Sequence, residues 1–271
     1  MDLFLTARIA VLLAGCAAGA YTDAKTGLIF DKITYPMIAA GILLNLIEWN
    51  LLFLAIGASV FAIGYAVYYL GKIGGGDVKL FTAIAFLLPF YGKQLFLLDS
   101  LFVAALFAVT FYAIFFVTKY ARKGISWKEN KGSAKKAAGF AIIIVAYLVA
   151  LAQLGAVALT TVALLALPLG LALLFMAFEH GIRRCFFLRY VKLGELDEDE
   201  VIAAEFLNKK TKQKLQLHLK GVFGKKEIAI LRKMGLKKVP VYRDMPPFAP
   251  FVLLGCIAAL AAPDLVSVLF L

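Results

Sequence analysis

The fold class turns on 137-AAGFAIIIVAYLVALAQLGAVALTTVALLALPLGLALLFMAF-178, 42 residues without a charge. As one helix it would run ~63 Å at ~1.5 Å per residue, twice the ~30 Å of bilayer hydrocarbon. It therefore reads as two spans that turn near Gln153–Thr161. Working outward, further uncharged runs cover roughly 3–21, 33–48, 51–70, 78–91, 95–118 and 247–271. Composition agrees, with 63% of the 271 residues hydrophobic and a mean hydropathy of +0.89, more than a soluble domain carries. The expectation is an all-α polytopic membrane protein of about eight transmembrane helices, within a range of about six to eight. A small α+β cytoplasmic domain is expected before the last helix. The opening stretch lacks the basic n-region of a signal peptide and reads as a retained span.

Charge distribution supplies the topology. Alternating the spans gathers the segments 22–32, 71–79, 119–136 and 180–246 on one face, with 27 of the 29 Lys and Arg residues. The exceptions are Arg8, inside the first span, and Lys93. That asymmetry makes the basic face cytoplasmic and both termini external, in a cell membrane. It also explains the net charge of +12 without a nucleic-acid partner, and none is expected. Cys16, Cys185 and Cys256 are scattered and only His180 and His218 occur, so no Cys/His metal site is expected.

The chain divides into a membrane half over 1–118, a basic loop over 119–136, two helices over 137–179, a polar module over 180–246 and a last helix over 247–271. Turns at Glu48–Asn50 and Gly92–Gln94 join spans tightly. In the module, 193-LGELDEDEVIAAEFLNKK-210 reads as a helix opened by a capping box of Asp197 and Glu200. Leu215, Leu217 and Leu219 alternate like a strand, and 226-KEIAILRKMG-235 reads as a short helix stopped by Gly235.

Two stretches carry candidate chemistry. In 71-GKIGGGDVKLF-81 three glycines precede Asp77, at the entrance to the fourth span. In 21-YTDAKTGLIFDKITYP-36, Asp23 follows the first span directly. Alternation of the spans sets both carboxylates at one depth on one face. Two carboxylates close enough to repel raise one pKa, leaving one acid and one base near neutral pH. Such a pair activates water against an amide without a metal. Gly74 and Gly76 would permit unusual φ/ψ and close approach of a substrate backbone. Asp77 would gain from a helix N-terminus.

Blander readings stand beside these. A glycine cluster is an ordinary turn between helices, and Lys25, Lys32, Lys72 and Lys79 suit snorkelling anchors. Asp31 reads as a cap for the second span, with Pro36 in its first turn. Asp99, one turn inside the fifth span, could mark an ion path in a transporter. A scaffold for a secretion or appendage machine would use the 180–246 module as a docking surface.

Together the motifs resemble the type IV prepilin peptidase-like membrane aspartic proteases, above all the archaeal preflagellin and prepilin peptidases. The resemblance rests on Asp23, Lys25, Gly27 and Ile29, then Gly74, Gly76, Asp77, Lys79 and Leu80, then 246-PPFAPFVLLG-255. It implies that Asp23 and Asp77 are the catalytic pair, with Gly74, Gly75, Gly76, Lys25 and Lys79 supporting the motifs or the substrate. The implied substrates are pilin or archaellin precursors, cut where a short basic leader leaves the bilayer at the cytoplasmic face. Neither a metal nor another cofactor is implied, and without the C-x-x-C pairs of bacterial relatives no N-methylation is expected. Presenilin-like proteases share G-x-G-D but add a Pro-Ala-Leu motif that this chain lacks.

Overall fold

The computed structural model describes residues 3–70, 73–155, 159–196, 201–207 and 231–263. Every uncharged run becomes a helix. The first four are α1 (Leu3–Thr26), α2 (Asp31–Ile47), α3 (Leu51–Tyr69) and α4 (Gly75–Leu87). After a two-residue hairpin, β1 (Phe90–Tyr91) and β2 (Gln94–Leu95), come α5 (Phe96–Lys123), α6 (Trp127–Gln153) and α7 (Leu159–Ile182). The last described helix is α8 (Ala249–Ala261). The long apolar run breaks between Gln153 and Leu159, where the bilayer limit required. Five helices, α1, α3, α5, α6 and α7, are long and apolar enough to cross a membrane. The chain is a multi-pass membrane protein. The shorter α2, α4 and α8 have 17, 13 and 13 residues, and at ~1.5 Å per residue α4 reaches only ~20 Å.

Helices and loops group into two compact units, residues 1–87 with 186–247, and residues 88–185 with 248–271. In the first, α4 packs on α1, α2 and α3, and Thr82 to Leu87 are all buried. The seam is made of small residues, as helix contact in lipid favours. A Cβ on Gly41 would meet the Phe86 Cβ at 2.7 Å, one on Gly64 would meet Val78 at 2.8 Å, and one on Gly57 would strike the Phe86 ring. Phe86 is thus a knob held between α2 and α3.

A helix this short needs partners for its last carbonyls. Pro89 supplies no N–H to continue it. Arg8, buried on α1, supplies the donors: Nη1 gives hydrogen bonds to the carbonyls of Leu87 (2.8 Å) and Phe86 (3.4 Å). Asn45 Nδ2 from α2 adds a bond to the Phe86 carbonyl at 2.9 Å. Arg8 Nη2 in turn donates to Asn45 Oδ1 at 2.7 Å and Glu48 Oε2 at 3.1 Å. A cation at this end also complements the helix dipole.

The small module of the first unit holds β3 (Leu188–Lys192), β4 (Val201–Ile202) and β5 (Lys238–Tyr242), antiparallel in the order β3-β5-β4. Val191, Leu193, Leu196, Leu231, Val239 and Val241 form its core. The helix expected over 193–210 is corrected here: residues 193–195 and 204–206 are 3-10 turns around β4. Val201 and Ile202 are β-branched, and β5 offers them backbone partners at Tyr242 and Val241, so pairing wins over helix propensity. The capping box at Asp197 and Glu200 and the alternating leucines at 215–219 lie outside the described residues. The helix ahead of Gly235 is present at 231–233 and ends at that glycine with φ 68°, the left-handed conformation.

In the second unit α5 packs against α7 and α8, and α6 against α7. Asn130 of α6 ties three helices together. Its Nδ2 donates to the Tyr120 hydroxyl and the Ser126 carbonyl, both at 2.9 Å, and its Oδ1 accepts from Gly181 N–H at 2.9 Å.

Candidate active site

Asp23 belongs to a continuous face of α1. Arg8, Leu12, Cys16, Gly19, Ala20 and Asp23 are its buried residues, spaced by three and four as one side of a helix requires. Asp23 is therefore carried inward by the same periodicity that carries Leu12, and it is 7% exposed. Its backbone carbonyl takes the closing bond of the helix, from Gly27 N–H at 2.8 Å. Gly27 has φ 71°, so this position needs a left-handed residue.

Asp77 stands in the first turn of α4, just before the apolar residues that begin at Val78. The structure brings it to Asp23. Burial pushes the Asp77 carboxyl from the ordinary 3.8 up to about 6, the Asp23 charge adds to the rise, and a backbone hydrogen bond from Gly74 opposes it. The first cause is desolvation of the anion and the second is like-charge repulsion. The carboxyl titrates near the pH at which it can act as an acid, beside a second carboxyl able to act as a base.

The glycines ahead of Asp77 have another use than the one expected. Gly74, Gly75 and Gly76 are not among the residues with positive φ, and Gly75 and Gly76 are already helical. The expectation of unusual φ/ψ is overturned there. What these positions need is room. A Cβ on Gly74 would stand 2.9 Å from Asp77 Oδ2, where the carboxylate folds back on its own backbone. A Cβ on Gly76 would meet the Ile29 Cβ at 3.1 Å and the Ile29 carbonyl at 3.2 Å. Ile29 also borders Gly19 of α1 at 3.6 Å. The isoleucine of the first motif thus seats on a glycine of the second, which holds the Asp23 loop against the start of α4.

Lys79 and Lys25 part company. Lys79 Nζ lies 2.5 Å from Asp31 Oδ1 and 5.0 Å from the centre of the Tyr35 ring, so it ties α4 to the first turns of α2. Asp31 was expected to cap α2, but Phe30 occupies the N-cap and makes no side-chain cap bond. Asp31 is a first-turn acid that holds Lys79 instead. Lys25 is exposed and donates to the Tyr21 hydroxyl at 3.4 Å on its own helix.

Sequence reasoning missed Thr34, fully buried on the face of α2 that also buries Met37, Gly41 and Asn45. Its hydroxyl has no partner among the described residues, and its place near the start of α2 puts it at the Asp31 end of that helix. The missed signal was its spacing from Asn45, which follows one helical face. Arg8 was noticed only as an exception to the charge rule.

A carboxylate on the buried face of α1 and one in the first turn of α4, near enough for the charge of one to act on the other, define the candidate site. The comparisons give its class: residues 10–117 match the type IV leader peptidase family, over the stretch that carries both motifs. Prepilin peptidase EppA of Methanothermobacter thermautotrophicus is 39% identical over 108 residues, 37% of this chain and 27% of that protein. The chain thus spans about a quarter of the length of that curated relative. No solved structure matches the chain. The resemblance read from the motifs is borne out over that region.

Proposed function

We propose that this protein is a membrane aspartic endopeptidase that removes the short basic leader from pilin-like or archaellin precursors. Asp23 serves as the base that takes a proton from the attacking water. Asp77, protonated below about pH 6, donates to the carbonyl oxygen and then to the leaving nitrogen. The observation that carries this reading is the meeting of Asp23 and Asp77 at one end of the α1–α4 bundle, with the Asp77 carboxyl lifted by burial and by its neighbour. The family match over residues 10–117 supports it independently.

In this reading the Asp23 and Asp77 end faces the cytoplasm, as the Lys and Arg count requires. The eight helices cross in alternation. Gly74 serves the site by admitting the Asp77 carboxylate and Gly76 by admitting Ile29, while Gly75 borders the Tyr68 ring. Lys79 holds the mouth through Asp31, and Lys25 is placed to meet lipid phosphate. The test is co-expression with a candidate precursor, leader loss being scored by gel shift. Asp23→Asn and Asp77→Asn should each abolish the shift while the protein accumulates normally in membranes. Full processing by either variant would sink the reading.

A further inference from the structure

We propose that Arg8 is a positioning residue: by gripping the end of α4 it sets the depth at which Asp77 meets Asp23. The inference rests on the peptidase reading above. Arg8 and Asp23 share the buried face of α1 and lie about 22 Å apart along a helix of ~1.5 Å rise. Asp77 and Leu87, at the two ends of α4, lie only about 15 Å apart by the same rise. With the carboxyls together at one end, α4 falls about 7 Å short of Arg8 at the other. The extended arginine side chain covers that gap and reaches the Leu87 carbonyl at 2.8 Å.

The grip is built for fixity. Four acceptors hold the guanidinium, namely the Phe86 and Leu87 carbonyls, Asn45 Oδ1 and Glu48 Oε2. The Phe53 ring lies 5.4 Å from its carbon. Phe86 locks α4 to α2 and α3 through Gly41 and Gly57, whereas Arg8 locks it to α1, the helix that bears Asp23. A buried arginine in a membrane helix is costly unless it has such a task, and contact with substrate is not that task, since Arg8 sits at the opposite end from the carboxyls.

The experiment uses the full chain in detergent and a synthetic precursor with a lysine-rich leader ending in glycine, followed by an apolar helix. Arg8→Gln should lower kcat about 30- to 100-fold, the scale of a small misplacement of catalytic groups, with KM within about twofold. Asp77 would lose burial and its neighbour, so the alkaline limb of kcat should move down by about half a pH unit or more. The titratable groups around Asp77 are Asp23 from α1, Tyr68 from α3, whose ring borders Gly75, and Lys79 with its partner Asp31 of α2. Arg8→Lys keeps a cation of similar reach but loses the fork; it should restore part of kcat and show a smaller shift of the same limb. If Arg8→Gln does not accumulate, Arg8→Lys decides by the same two readouts. Activity that falls only with the amount of folded protein, with kcat per folded molecule and the limb unmoved, would overturn the inference and leave the peptidase reading intact. Cleavage by Asp77→Asn in the same assay would remove both.

Discussion

In the bundle of α5 to α8 the buried Asn130 has its amide engaged at both ends, by Tyr120, Ser126 and Gly181. In the bundle of α1 to α4 the buried polar groups divide between two opposite ends. Buried Arg8 and Asn45, with the more exposed Glu48, close the far end of α4, while buried Asp23 and half-buried Asp77 occupy the near end. A polar knot with every group satisfied joins helices and is finished chemically. The Asp77 carboxyl is not finished, because burial and the Asp23 charge raise its proton affinity and leave it a proton to give. The difference teaches where to look for chemistry in an apolar chain: at groups whose neighbours oppose them.

The comparison breaks most sharply at the carboxyls. Asp23→Asn or Asp77→Asn should lower cleavage of a precursor by about a thousandfold or more, on the scale of lost general acid–base catalysis, as read by leader loss on gels. Asp99, buried on α5, serves as the matching probe in the other bundle. Asp99→Asn should leave cleavage within about twofold, the range of a residue outside the chemistry, whereas a transporter would lose flux.

The second expected effect is on pH. With Asp77 titrating at about 6, cleavage should fall about tenfold per unit above that value, as the acid form is lost. The same group bears on stability. Between about pH 4 and pH 6 the folded chain holds a proton that the unfolded chain has released, so stability falls as pH rises across that window. Asp77→Asn should therefore raise stability at pH 7.5 by up to about 3 kcal/mol, and by nothing below pH 4. Thermal melts at the two pH values check the sign.

Next comes the polar knot. Asn130→Ala should cost about 1–3 kcal/mol, because the buried Gly181 N–H loses its acceptor and Tyr120 and Ser126 each lose one bond, while kcat per folded molecule stays unchanged. The smallest effect belongs to Asp31 and Lys79, whose side chains are 52% and 28% exposed. Asp31→Asn should cost about 0.5–1 kcal/mol, as part-exposed ion pairs do, and change cleavage only modestly.

Much of this arrangement was legible in the residues. Apolar runs located the long helices among the described residues, five of them long and apolar enough to cross a membrane, and the turn inside 137–178 fell where a bilayer allows it. Asp23 and Asp77 could be paired from the sequence on the reading that alternating spans set both on one side. The glycines were less legible. Their pattern is the same whether they serve a bent backbone or a close neighbour, and only the positions of Ile29 and the Asp77 carboxylate distinguish the two. Asp31 was misread as a cap because its partner, Lys79, is 48 residues away. The helix expected at 193–210 failed for the same reason: the strand that claims Val201 and Ile202 comes from residues 238–242.

The charge asymmetry and the places where apolar helices must break followed from residue order, because hydrocarbon thickness and helical rise are constants that any membrane chain must meet. Depth within the bundle did not. The length of α4, the reach of Arg8 to its last carbonyls and the seating of Ile29 on Gly76 arise only when four helices close around one another. A one-dimensional pattern states which side a residue is on, whereas the distance between two carboxyls depends on contacts that join distant parts of the chain.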